Sequence, residues 1–171
     1  MRRKRVGFTL VELMTVVAII GLLIAIIVPS LGQAKTQSRR VTCRSNLHGA
    51  GTALRMYLNE NNDVLPVAAL LPSAKLNDDP RIADVLDPYL SNPLALKCPA
   101  DQVKNYYVSE GSSYEYRSMW GGRKLNQISQ SQTLGEGKVF LMHDYEPFHG
   151  PPGELGSESY LFADGHVGNL E

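Results

Sequence analysis

The chain reads as an α+β protein, with one long N-terminal helix packed on a small antiparallel sheet. Three observations carry that reading. A basic head, Arg2-Arg3-Lys4-Arg5, leads into an almost unbroken apolar run from Phe8 to Leu31. Helical periodicity continues beyond the run, with Cys43, Leu47, Ala50, Leu54 and Leu58 at three- and four-residue spacings. Short apolar or alternating segments between glycines and polar residues then occupy the last third. Of 171 residues, about 110 remain for one small domain once the head and the whole of the long helix are set aside.

The apolar run comes first. Its only polar side chains are Thr9, Glu12, Thr15 and Ser30, and about 20 apolar residues suffice to cross a bilayer. The basic head argues for cytoplasmic retention, which puts the rest of the chain on the far side. Pro29 would kink or break a helix in water but is tolerated in a membrane helix, so a kink or a melted turn is expected there. Glu12 needs a reason. A carboxylate at the centre of a membrane helix costs about 2.5 to 3.5 kcal/mol, and rather less near an end. Anchoring does not require that cost, so Glu12 is read as functional and as the partner of a positive charge. A secretory signal peptide cut near Gly32-Gln33-Ala34 is the competing reading. Glu12 and the length of the run count against it.

From residue 32 to 59 the helix continues as the spine of the domain. Arg44, Ser45, His48, Thr52 and Arg55 lie off its apolar stripe, and Asn59-Glu60-Asn61-Asn62-Asp63 is a stop signal. At 1.5 Å per residue the whole helix measures roughly 75 Å. Residues 60–171 form the globular part. Val64 to Pro99 is mostly connecting chain with one short helix, capped by Asp79, opened by Pro80 and presenting Ile82, Val85 and Leu86. Strands are expected at Tyr114, Tyr116 and Met119, and at Lys138 to Met142. A hairpin joins residues 159–163 to 166–170 through Asp164-Gly165, the dipeptide of a type I′ turn. The aromatic stretch Tyr106, Tyr107, Tyr114, Tyr116 and Trp120 is assigned to core and sheet packing.

The run Gly7-Phe8-Thr9-Leu10-Val11-Glu12-Leu13, with Pro29 beyond it, resembles the prepilin signal of type IV pilins and type II secretion pseudopilins. The resemblance implies a pilin-like fold and a leader at residues 1–7. It implies cleavage after Gly7 by a prepilin peptidase, methylation of the new terminus at Phe8, and a filament-core helix over 8–31. It further implies Glu12 and Pro29 as assembly residues, with Glu12 meeting the free amine on Phe8 of a neighbouring subunit. The implied partners are other pilin subunits, membrane lipid, an assembly ATPase and an inner-membrane platform. The implied location is the bacterial inner membrane, with the C-terminal domain outside the cytoplasm. A second resemblance rests on Cys43-Arg-Ser-Asn46-Leu47, Cys98-Pro-Ala-Asp101 and Tyr160-Leu-Phe-Ala-Asp164-Gly165-His166-Val167. These look like the pilin-like group defined by a histidine, nine residues and Asp-Gly. Here His149 precedes Asp164 by about fourteen residues, and Gly150 to Gly156 looks like an insertion.

Two sets of residues remain. Cys43 and Cys98 are an even pair in a domain expected outside the cytoplasm, which suggests a disulfide. It would close a loop of about 55 residues, worth roughly 4 kcal/mol; two free buried thiols are the alternative, and two cysteines so far apart argue against a metal. His143, Asp144, His149, Asp164 and His166 are candidate ligands for calcium or zinc. Turn and strand-end positions account for these residues without any ligand, and that is the favoured reading. No cofactor is expected. No nucleophile elbow, phosphate loop or catalytic carboxylate pair is visible, so the chain is read as no enzyme. With net charge zero, nothing points to nucleic acid. The function expected is a structural subunit of a secretion pseudopilus or a pilus-like filament. The alternative is a membrane-anchored binding protein with the same signal that forms no bulk filament.

Overall fold

The computed structural model describes residues 9–128, 132–133 and 135–170. The leader, Gly7 and Phe8 lie outside the described residues. The chain divides into two units, Met1–Gln37 and Ser38–Glu171, and helix α1 (Leu10–Glu60) contributes to both.

Helix α1 begins on a reciprocal cap. Thr9 Oγ1 accepts from the Glu12 backbone N–H at 3.3 Å, while Glu12 Oε2 accepts from the Thr9 N–H at 2.9 Å. This is a capping box, in which two of the orphan N–H groups of a helix start satisfy each other's side chains. The helix runs through Pro29, so the melted turn expected there is absent. A proline removes one N–H, and the remaining ladder carries the helix on. The stop comes where expected: Asn62 and Asp63 take positive φ, and the Asp63 N–H reaches back to the Leu58 carbonyl at 2.9 Å. That bond closes a Schellman-type end.

In the second unit the anticipated stripe is the core. Cys43, Leu47, Ala50, Leu54 and Leu58 are all buried, together with Ala53. A methyl group added to Gly51 would stand 2.6 Å from Leu161 Cδ1, so the helix packs closely on the sheet at a residue without a side chain. The sheet has four antiparallel strands in sequential order: β1 (Tyr114–Tyr116), β2 (Phe140–Asp144), β3 (Tyr160–Phe162) and β4 (Val167–Gly168). Tyr114 pairs with Asp144 and Tyr116 with Met142. Because side chains alternate along a strand, these four face the core, and Glu115 and His143 face away.

Three local expectations change. The short helix α2 (Ile82–Leu86) starts at Arg81 with no side-chain cap, while Asp79 bonds Asn77 instead. Met119 lies in a 3₁₀ turn over Ser118–Trp120 and is exposed. The β3–β4 turn is a three-residue loop rather than type I′: the Gly165 N–H bonds the Phe162 carbonyl at 2.9 Å, and Gly165 rather than Asp164 takes the positive φ. An additional short helix, α3 (Tyr106–Ser109), is held by buried Asp101, whose carboxylate accepts from the Tyr106 and Tyr107 N–H groups and from Ser113 Oγ. Of the aromatic stretch, Tyr114, Tyr116 and Trp120 are buried, and Tyr106 stacks on Tyr145 at 4.6 Å.

Candidate functional site

Each unit carries a feature with chemical content. In the first unit it is the surface of α1. An 18-residue window there has a mean hydropathy of 2.9, and by length and composition the helix is able to cross a membrane. Its large apolar side chains stand open, from 47% exposed at Val16 to 72% at Leu10. Its hydroxyls are spoken for within the helix: Thr15 Oγ1 donates to the Glu12 carbonyl and Ser30 Oγ to the Ile27 carbonyl. Between Leu10 and Leu31 only Glu12 carries a charge that calls for water. Glu12 Oε2 takes bonds from the Thr9 N–H and, at 2.7 Å, from Thr9 Oγ1. Among the described residues, Oε1 has no partner. The capping role is readable from Thr9-Leu-Val-Glu12, a T-x-x-E signature.

In the second unit the feature is a buried cluster. Cys43 comes from the core face of α1. Cys98 follows a 3₁₀ turn (Pro93–Leu96) tied down from both sides: Asn46 donates to the Lys97 carbonyl at 2.7 Å and the Ser113 N–H to the Leu96 carbonyl at 2.8 Å. Asp144 ends β2. His149 lies in the following loop, where its N–H bonds the Ser157 carbonyl at 3.0 Å. One ligand-type atom from each of the four lies within 4.8 Å of all the others. Cys43 Sγ is 3.4 Å from Asp144 Oδ1, Cys98 Sγ is 3.5 Å from His149 Nε2, and His149 Nε2 is 3.8 Å from Asp144 Oδ2. The His149 and Asp144 side chains are 0% exposed.

The surroundings hold this cluster in place. Tyr114 donates from its hydroxyl to the Cys43 carbonyl at 3.0 Å and lies 3.2 Å from Cys43 Sγ. The Ser159 N–H donates to Asp144 Oδ2 at 2.7 Å. Among the described residues, His149 Nδ1 and Ser159 Oγ are buried with no hydrogen-bond partner. Burial pushes the Asp144 carboxyl up to about 7. The hydrogen bond between the two thiols raises Cys43 and lowers Cys98.

The outcome for the sequence candidates is mixed. Cys43 and Cys98 do come together, as two buried thiols. They meet two further ligand-type groups that the sequence had assigned to a different set. Of that set, only Asp144 and His149 join the cluster. His143 points to the opposite face of β2, 3.9 Å from Glu115, on a groove of about 530 Å³ that Arg117 and Phe140 also line. Asp164 and His166 are half exposed and satisfy each other within their turn at 2.6 Å.

Comparison with known proteins locates the chain. The family model described as a prokaryotic N-terminal methylation motif matches residues 2–28. The type II secretion system core protein G of Pseudomonas aeruginosa is 37% identical over 60 residues, 35% of this chain and 42% of that protein. The type IV wide pilus major component of Thermus thermophilus is 35% identical over 78 residues, 46% of this chain and 60% of its own length. The type II secretion system core protein G of Escherichia coli K12 is 31% identical over 105 residues, 61% of this chain and 71% of that protein. The chain thus spans less than half the length of the Pseudomonas protein and over two thirds of the Escherichia one. No solved structure matches it.

Proposed function

The chain belongs to the pilin and pseudopilin family, and from this premise we propose that it is a structural subunit, held in the bacterial inner membrane and drawn into a filament of the type II secretion pseudopilus kind. A prepilin peptidase cuts between Gly7 and Phe8 and the new terminus is methylated. The N-terminus starts on the cytoplasmic side and the C-terminal domain lies beyond the membrane. The protein acts by assembling with other subunits on an inner-membrane platform, not by catalysis.

One observation carries this reading: the apolar surface of α1 over residues 10–31 is exposed, and its hydroxyls are already satisfied inside the helix. Such a surface is stable only in lipid or against its like. In a filament, identical helices pack together and the apolar faces leave lipid jointly. Glu12 Oε1, which has no partner among the described residues, meets the terminal amine of the next subunit, since a paired charge in hydrocarbon costs far less than two lone ones.

The two roles of Glu12 are separable. Glutamine also serves at the third position of a capping box but carries no charge. Glu12→Gln therefore preserves the helix start and removes the ion pair. Filament assembly should fall sharply in Glu12→Gln while the membrane-bound pool persists. Normal assembly in Glu12→Gln with loss only in Glu12→Ala would reduce Glu12 to a cap. A mature chain that does not begin at a methylated Phe8 would end the processing claim.

A further inference from the structure

We propose that Cys43, Cys98, Asp144 and His149 form a structural zinc site in the core of the C-terminal domain. The inference stands on that domain alone and is independent of the filament reading.

Geometry is the first argument. Zinc binds thiolate at about 2.3 Å and imidazole or carboxylate at about 2.0 to 2.2 Å, nearly always tetrahedrally at structural sites. In such a tetrahedron the ligand atoms stand about 3.3 to 3.8 Å from one another, the longest between two sulfurs. The observed separations are 3.4 Å for sulfur to oxygen, 3.5 Å for sulfur to nitrogen and 3.8 Å for nitrogen to oxygen. The first and last of these distances use different oxygens of Asp144, Oδ1 and Oδ2; with one atom from each residue, all four lie within 4.8 Å of one another, so a small side-chain adjustment brings them to the spacing of a coordination shell.

Burial is the second argument. A carboxylate, an imidazole and two thiols have been taken out of water into one spot, where each costs free energy unless paired. A bond between the sulfurs would account for the cysteines and leave the carboxylate and imidazole unexplained. A divalent cation satisfies all four at once. Two thiolates and a carboxylate around a divalent ion leave one negative charge. Half-buried Arg44, which interacts electrostatically with both Asp144 and Cys43, is placed to offset it. The supporting contacts have the pattern of an outer shell: the Ser159 N–H fixes Asp144 and the Tyr114 hydroxyl lies against Cys43 Sγ.

The donor set selects the metal. Two sulfurs and a nitrogen suit zinc; calcium takes six to eight oxygens. With four protein ligands the site has no open position, so its role is structural. The ion would tie α1, the Cys98 loop, the end of β2 and the loop after it into one body, joining residues 101 positions apart.

The test uses the full chain purified in detergent without chelator or reductant. Elemental analysis should find about one zinc per chain, and Cys98→Ser and His149→Ala should each lose it, whereas His166→Ala should keep it. Because the two ligand variants risk misfolding, the wild-type chain is also stripped with a chelator and titrated with Co²⁺. A stoichiometric rise of tetrahedral cobalt bands with a thiolate-to-cobalt charge-transfer band supports the site, as does a thermal midpoint that falls on stripping and recovers with Zn²⁺. Failure of the stripped chain to take up Zn²⁺ or Co²⁺ overturns the proposal. So does a non-reduced mass two hydrogens short, with Cys43 and Cys98 joined in one peptide.

Discussion

Residues 10–37 and residues 38–60 belong to the same helix, yet they obey different rules. In the first stretch apolar side chains point in every direction and all are exposed. In the second most of them fall on one stripe, and that stripe is buried, while Val41 and Met56 stand exposed off it. The backbone is the same in both. What differs is the surroundings each stretch is built for: an apolar medium or like helices around the first, a protein core along one side of the second. A helix apolar all round and a helix apolar on one stripe are therefore two statements about solvent, written in a single element.

The strongest way to break the comparison is to give each stretch the other's fault. Leu54→Ala, in the buried stripe, should cost about 2 to 5 kcal/mol through lost burial and a residual cavity, read as a lower denaturation midpoint of the domain. Ile20→Arg should cost about 2.5 to 3.5 kcal/mol for insertion and release the chain from the membrane fraction, with no change in the domain's own unfolding. If Ile20→Arg also destabilises the domain, the two stretches are not independent. At the helix start, Thr9→Ala removes half of the capping box and should cost about 1 kcal/mol of helix stability, seen as faster amide exchange at residues 10–13. The smallest effect sits on the exposed surface. Arg81 holds the Asp84 carboxyl below its usual value through two hydrogen bonds. A depressed carboxylate adds stability above the unfolded value of about 4, and that stability is lost as the pH falls through the folded value. Asp84→Asn should flatten a small part of the acid limb of the stability profile and do little at neutral pH.

Much of the fold was legible because it rests on local pattern. The stripe from Cys43 to Leu58, the stop at Asn61-Asn62-Asp63, the strand at Tyr114 and Tyr116 and the final hairpin are each encoded in a few consecutive residues. Where local reading failed, a competing local bond decided the matter. Asp79 bonds Asn77 rather than capping α2, and Gly165 alone takes the left-handed conformation, lengthening the turn by a residue.

The buried cluster was legible only in pieces. Sequence sorted its members into two unrelated groups, two cysteines for a disulfide and a set of His and Asp residues as candidate calcium or zinc ligands. The grouping of His143 with Asp144 was natural on paper and is undone by the pleat, since neighbours on a strand face opposite sides. The sequence by itself determined the long helix, its change of character after Leu31, the hairpin and the family, because periodicity, composition and a contiguous motif are local quantities. Only the tertiary structure decided that Cys43, Cys98, Asp144 and His149 meet. Their convergence depends on which strand pairs with which, on the register of Tyr114 against Asp144, and on where Asn46 pins the Cys98 loop, and none of these is written in any short stretch of chain.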